Sequence, residues 1–386
     1  MCIFDRSKKG MEYNMKEIRV LQVFGEPLSN GGQESFLMNM YRNMDKNKII
    51  FDFFTPYYCD NELMKRELES TGSKVFIYNG RFFGEGNKKD LRKNVKDFFE
   101  KNHYDIVHIH SGSTYALMYI SKMARKSGAK KVIVHSHCGG FKNLKYRIIK
   151  FISTPYLMKY PTDYYACSKL AAEWKFPQRI VKQRKYRILK NAIDTNKLYF
   201  NKDIRERTRK ELDIEDKFVV GHIGRFSLQK NHDFLIDIFN EIQNKKNNSV
   251  LMLIGTGDLQ ETIKDKIDKL GLSNKVLMLN LRNDIQELLN AMDVFVLPSF
   301  FEGLPVVGVE AQATGLQVFT STEVTKELPI EKLSYYYALE DGSEKWAENI
   351  IKESNGFIRK NTTELIKESG YDVKIAAKKM EELYFA

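Results

Sequence analysis

What most limits how this chain can fold is an alternation that runs, breaks and starts again. From Ile18 to about Asp194, apolar runs of strand length alternate with stretches of helical period. IRVLQVFG, FDFFTPY, KVFIYN, YDIVHIHS, KVIVHSH and DYYACS read as strands. Near-continuous apolar runs mark strands buried on both faces, and strand–helix alternation marks a parallel sheet with helices on both sides. TNKLYFNKDIRERTRKELDIEDK then interrupts the pattern; it is charged and reads as a linker and a surface helix. Strands resume in FVVGHIGRF, VLMLIGTGD, KVLMLN and DVFVLPS. The fold expected is α/β, with two doubly wound domains, 15–195 and 196–367, facing across a cleft. A chain of 386 residues is comfortable for two cores. Ligands of such sheets bind at the carboxyl ends of the strands, so the cleft is the expected site.

Composition narrows the function. A net charge of +12 suits phosphorylated small molecules, anionic lipid or nucleic acid, but no nucleic-acid-binding motif accompanies it. Cys2, Cys59, Cys138 and Cys167 are scattered and form no Cys-x-x-Cys, which points to a reducing cytoplasm and away from zinc. The first residues, MCIFDRSKKG, lack a signal-peptide core, and Met15 is a candidate start. No apolar run is long enough to span a bilayer.

Three loops at strand ends carry the chemistry. SNGGQE places Gly31 and Gly32 before a helix, where backbone N–H groups approach a phosphate. GRFSLQKN sets Arg225 and Lys230 around a short loop, two cations able to converge on a diphosphate; two solvated surface cations are the plainer alternative. FFEGLPVVGVEAQATGL places Glu302 in a loop and Glu310 on the helix after Pro305. The N–H groups near Gly303 and Leu304 suit an anion, and two carboxylates flanking an anion site suit a ligand with hydroxyls at both ends and phosphates between. A nucleotide sugar has that form. GTGDL lacks a full Gly-x-Gly-x-x-Gly and follows a strand of the second half, so a dinucleotide reading is weak. His108, His110, His135 and His137 lie at or near strand ends. No acidic ligand is nearby in sequence, so a metal is not expected; His135 is read as a polar wall of the cleft.

Together these loops resemble the retaining glycosyltransferases of family four, with the two-Rossmann B-type (GT-B) fold, over nearly the whole chain. Glu302 and Glu310 match the family's Glu-x7-Glu motif, GRFSLQKN its Gly-Arg loop, SNGGQE its glycine loop and VIVHSH its histidine-bearing strand end. NAIDTNKLYF, RNDIQELLNAMDVFVLPS and FEGLP resemble the branch that builds bacterial capsular and exopolysaccharides. Glu34-Ser35 replaces the frequent Glu-Arg after the glycine loop.

The resemblance implies that Arg225 and Lys230 hold the donor diphosphate, Glu310 the ribose and Glu302 the donor sugar. Gly303 and Leu304 meet the phosphate, Arg282 lies near the base, and Gly32 approaches from the other domain. His135 faces the reacting sugar, and a last helix, about 368–386, packs back on the first domain. The donor is then a nucleotide-diphosphate sugar, with UDP the family habit, and the acceptor a saccharide on a polyprenyl diphosphate. No cofactor or metal is implied, and the sequence has no Asp-x-Asp. FKNLKYRIIKFISTPYLMKY mixes cations and apolar residues. It reads either as a segment lying on an anionic membrane from the cytoplasmic side or as a core-packed helix with a basic outer face. A nucleotide-sugar 2-epimerase of related fold would release free sugar without acceptor; a non-catalytic glycan- or transferase-binding partner would need none of the paired charges.

Overall fold

The structure is a computed structural model that describes residues 18–29, 31–82, 88–137 and 144–386. Cys2, Met15 and Cys138 lie outside the described residues. Two parallel sheets form the frame. The first contains β1 (Ile18–Phe24), β2 (Ile49–Thr55), β3 (Val75–Ile77), β4 (Ile106–His110), β5 (Lys131–Ser136), β6 (Asp163–Ala166) and β7 (Arg187–Ile188), in the order β3-β2-β1-β4-β5-β6-β7. The second contains β8 (Phe218–Ile223), β9 (Ser249–Ile254), β10 (Val276–Met278), β11 (Val294–Leu297), β12 (Gln317–Ser321) and β13 (Ser334–Tyr337), in the order β10-β9-β8-β11-β12-β13. In each sheet the order reverses beside the first strand, at β1/β4 and at β8/β11. Such a switch point opens a crevice at the carboxyl ends.

The central strands follow from their composition. All seven residues of β2 are buried, as are Leu21, Val23, Val107, Ile109, Val132 and Val134. Helices close both faces of each sheet. The last helix, Val373–Phe385, packs on the first: Val373, Ala377, Met380 and Tyr384 share a core with Val20, Phe24, Phe36 and Phe51. The chain therefore crosses between the sheets twice, and the crossings are tied together. Ile193 N–H donates to Tyr371 O at 2.9 Å, Val373 N–H to Ile193 O at 3.0 Å, and Thr195 Oγ1 to Asp372 Oδ2 at 2.6 Å.

Candidate active site

The second-domain loops are stitched to one another. Phe300 N–H donates to Gln229 O at 2.9 Å, Gln229 Nε2 to Phe301 O at 3.0 Å, and Asn231 Nδ2 to Pro298 O at 3.1 Å. Asn231, in the left-handed region at φ 56°, ends the short 3-10 turn Leu228–Lys230 and turns the chain into helix His232–Lys245. Across this seam Lys230 Nζ meets Glu302 Oε1 at 2.6 Å, with both side chains largely buried, and Ser299 Oγ donates to the same oxygen at 3.3 Å. Two residues 72 apart in sequence thus form one pair. The loop containing Arg225 is held from below by GTGDL, where a side chain on Gly255 would strike Gly224 O at 2.1 Å and one on Gly257 would strike Phe226 O at 2.4 Å. The GTGDL glycines therefore permit backbone-to-backbone packing.

Arg225 is exposed, and its guanidinium has no hydrogen bond or ion pair among the described residues. Lys230 is neutralised by Glu302, which leaves Arg225 as the unpaired cation of the loop. Glu310 lies on helix Val306–Ala313, in its second turn; Pro305 is the N-cap rather than the first helical residue. Burial pushes the Glu310 carboxyl up to about 7, and no side-chain hydrogen bond holds it among the described residues. Its oxygens are free to accept from hydroxyls. Arg282 is exposed and forked onto Asp284, with Nε to Oδ1 at 2.7 Å, just before helix Ile285–Ala291.

The two domains touch at the same strand ends. Ser168 Oγ donates to Gly303 O at 2.9 Å, Asn191 Nδ2 to Leu304 O at 2.7 Å, and Lys169 N–H to Glu327 Oε1 at 2.7 Å. The Glu302–Leu304 loop is thereby set against the first domain. There Gly32 begins helix Gly32–Arg42, and a side chain added to it would meet nothing within 4 Å. The chain itself does not require a glycine at this position, which leaves the backbone open to the cleft.

The histidines require a correction. His135 is not a wall of the cleft: it is 0% exposed, both ring nitrogens lack partners among the described residues, and it stacks on His108 with centroids 5.2 Å apart. Residues two apart share a face of a strand, so sequence alone did not separate His135 from His137. The difference is where β5 stops. Ser136 is its last residue, and His137 stands just past it at the carboxyl end. Cys167 Sγ donates to His137 O at 3.1 Å, one residue before Ser168 reaches Gly303. His108, His110 and His135 bring one nitrogen each within 4.8 Å of one another. Both nitrogens of His110 are already committed, however, to His137 and to Gln22 at 2.8 Å each.

Residues 30–197 match the model of Glycosyltransferase Family 4, and residues 204–332 that of Glycosyl transferases group 1. Over 375 residues, 94% of each protein, the chain is 31% identical to a putative glycosyltransferase, EpsF, of Bacillus subtilis. The chain belongs to glycosyltransferase family four. It is also 31% identical over 279 residues to the UDP-Gal:alpha-D-GlcNAc-diphosphoundecaprenol alpha-1,3-galactosyltransferase of Escherichia coli, spanning 70% of this chain and 65% of that one. The structure of Anabaena HepE in complex with UDP and glucose superposes with a TM-score of 0.74 at 19% identity, covering 96% of this chain and all of that one. That likeness shows the GT-B fold.

This glycosyltransferase has two further buried carboxyls beside the glycine loop of the first domain. Glu26, just past β1, accepts from Ser111 Oγ at 2.7 Å and Gly112 N–H at 2.9 Å, while its Oε2 is buried without a partner. Glu34 accepts from Ser29 N–H at 3.2 Å, and burial pushes its carboxyl up to about 7. The sequence shows both: EPLSNGGQE brackets its glycines with two glutamates.

Proposed function

We propose that this enzyme transfers a sugar, with retention of configuration and without a metal ion, from a UDP-sugar to a saccharide carried on a polyprenyl diphosphate. Such a step belongs to capsular or exopolysaccharide assembly. The observation that carries this reading is the Lys230–Glu302 pair, which joins the Arg225 loop to the loop that leads into the helix of Glu310. Breaking the sugar–phosphate bond builds negative charge on the leaving diphosphate. Arg225 and Lys230 stabilise that charge electrostatically. Glu310 receives the ribose hydroxyls and Glu302 a hydroxyl of the donor sugar. The acceptor hydroxyl attacks from the face the diphosphate leaves, which retains configuration. UDP and the diphosphoundecaprenol acceptor are the substrates named for the Escherichia coli relative, and they fit a site of this charge.

The enzyme meets its lipid-linked acceptor through helix Leu144–Lys159. Leu157 and Ser153 face the core, while Leu144, Ile148, Phe151, Ile152 and Tyr156 point outward, with Phe151 81% exposed. Arg147 and Lys159 lie exposed among them. An outward apolar stripe with cations suits the interface of an anionic bilayer. Among the described residues no helix is long and apolar enough to cross a membrane.

The test is the thermal midpoint with UDP, GDP, ADP and NAD, on the wild type and on Arg225→Ala. A ligand at about 100 times its dissociation constant adds about 2.7 kcal/mol. A shift with UDP that vanishes in the variant supports the reading; no shift with any nucleotide overturns it. Sedimentation with anionic vesicles at low salt, reversed at high salt and lost in Phe151→Asp, tests the membrane face.

A further inference from the structure

At the amino ends of the second sheet's strands, away from the Arg225 and Glu302 loops, lies a cavity of about 480 Å³. Phe218 begins β8, Asp293 directly precedes β11, and both line it. Phe200 and Lys202 form one side soon after the chain first crosses into the second domain, and Arg359 lines it shortly before the chain crosses back. The sugar-transfer site does not use this space, because ligands of such sheets bind at the carboxyl ends of the strands. Its volume is nevertheless in the range of small-molecule sites.

The charges around the cavity do not balance. Arg205 Nη2 and Arg209 Nη2 both donate to Asp293, the latter at 2.6 Å, and Val219 N–H donates to the same carboxylate at 2.7 Å. Arg359 has no carboxylate partner among the described residues; it donates to Leu289 O, Asn290 O, Met292 O and Thr314 O. Most of these carbonyls belong to the end of helix Ile285–Ala291, and a helix C-terminus carries about half a negative charge. The guanidiniums of Arg205, Arg209 and Arg359 thus outweigh the one carboxylate and the helix end together. Burial, with Arg205 and Arg209 nearby, pushes the Arg359 pKa well below the usual guanidinium range, yet an arginine keeps its proton in a protein. The charge therefore stays, at a cost that a bound anion lowers. The outer donors are accessible. Lys246 is exposed, and among the described residues its ammonium meets only the Phe218 ring, 4.6 Å from the centroid. Lys202 is exposed and 3.5 Å from Glu206, a surface pair of the kind that contributes little. Arg205 Nε–H donates to nothing among the described residues. Lysine and arginine can only donate, so the polarity of the site is fixed.

We propose that this cavity is a second ligand site, for a small phosphorylated molecule whose phosphate oxygens are received by Arg205 with Lys202 and Lys246 around it. Such a ligand sits at the opposite end of the sheet from the sugar donor. It also joins Lys202, which follows the first crossing between the domains, to the wall that Arg359 forms before the second. The site does not depend on the sugar-transfer reading above.

The test is isothermal titration of the full chain with inorganic pyrophosphate, a probe that carries the phosphate chemistry without a base or a sugar. Binding should persist in Arg225→Ala, which removes the unpaired cation of the donor loop. In that background, Lys202→Ala with Lys246→Ala should weaken it by at least about tenfold, the scale of losing hydrogen bonds from charged donors. Both lysines are exposed, so the unfolding midpoint without ligand should stay where it is. Lys246→Glu alone should weaken binding as well, through repulsion, and serves as a second variant if the double one fails to fold. Inorganic phosphate should bind more weakly than pyrophosphate, because fewer oxygens meet the cations; equal affinity would reduce the ligand to a single phosphate and overturn the larger one. Absence of binding to the wild type, its loss in Arg225→Ala, or unchanged affinity in the lysine variants overturns the proposal. Failure of UDP to shift the thermal midpoint would sink the transfer reading and leave this result standing.

Discussion

The strand-end faces of the two domains differ in one respect: among the described residues, only the second holds a buried ion pair between its loops. On the second, Lys230 and Glu302 pair at 2.6 Å. On the first, Glu34 is pushed up to about 7 and the histidines are driven neutral, each mainly by burial. A charge taken out of water must be paired or given up. The second domain does both, pairing Lys230 with Glu302 and pushing Glu310 up, while the first, at Glu34 and the histidines, only gives up. In the proposed reaction the second domain meets the diphosphate through Arg225 and Lys230 and the donor's hydroxyls through Glu302 and Glu310, so the donor's charge falls on the domain that keeps an ion pair.

The sharpest way to break this comparison is to remove one member of the ion pair. Lys230→Ala should cost about 3–5 kcal/mol of stability, because Glu302 is left buried and unpaired. Lys230→Ala combined with Glu302→Ala should cost clearly less, as urea unfolding will show; equal losses would mean the pair is not coupled. Next, Arg225→Ala should lower kcat/KM by about 3–4 kcal/mol of transition-state stabilisation, with the unfolding midpoint unchanged. Unaltered turnover would remove Arg225 from the chemistry.

Glu310→Gln should weaken UDP binding on the order of tenfold, about 1.4 kcal/mol, by isothermal titration. The same variant carries a pH signature. Below about 4.5 the carboxyl is protonated in both folded and unfolded chains; between 4.5 and about 7 only the unfolded chain ionises. The wild type therefore loses stability as pH rises through that window. Glu310→Gln should be more stable than wild type at pH 8, with the gain gone at pH 4. The smallest effect belongs to the first domain. His135→Leu removes two unpartnered nitrogens from the core and should stabilise by about 1 kcal/mol without loss of kcat. A large fall in kcat would return His135 to the cleft.

Much of this was legible in the sequence, for identifiable reasons. Strands buried on both faces must be apolar, so β1, β2, β4, β5, β8 and β11 announce themselves. β12 does not, because Gln317, Thr320 and Ser321 are buried on tertiary bonds: Gln317 Nε2 to Tyr335 Oη at 2.9 Å, Thr320 Oγ1 to Leu297 O at 3.0 Å. Nor does β13, whose SYYY looks like surface. Arg225 and Glu302 stand out in the sequence because each follows an apolar strand run, and Glu310 because it stands inside an apolar helix. That Lys230 pairs with Glu302 could not be read, since it depends on two loops meeting. The choice between His135 and His137 depended on where β5 ends, which a period of two does not encode. That Tyr384 bonds to Gln22, 362 residues away in sequence, left no local sign at all.

The last helix has a consequence for how the protein is made. Val373, Ala377, Met380 and Tyr384 complete a core whose other walls come from Val20, Phe36 and Phe51. A ribosome delivers those walls early and the closing piece last. At about 5–20 residues per second, the stretch from Phe51 to Val373 separates them by roughly 15–65 s. Throughout that interval one side of the first sheet lacks part of its cover, while the second domain, whose sheet ends at Tyr337, can fold as soon as it emerges. The half that begins the chain is thus the half that finishes folding last.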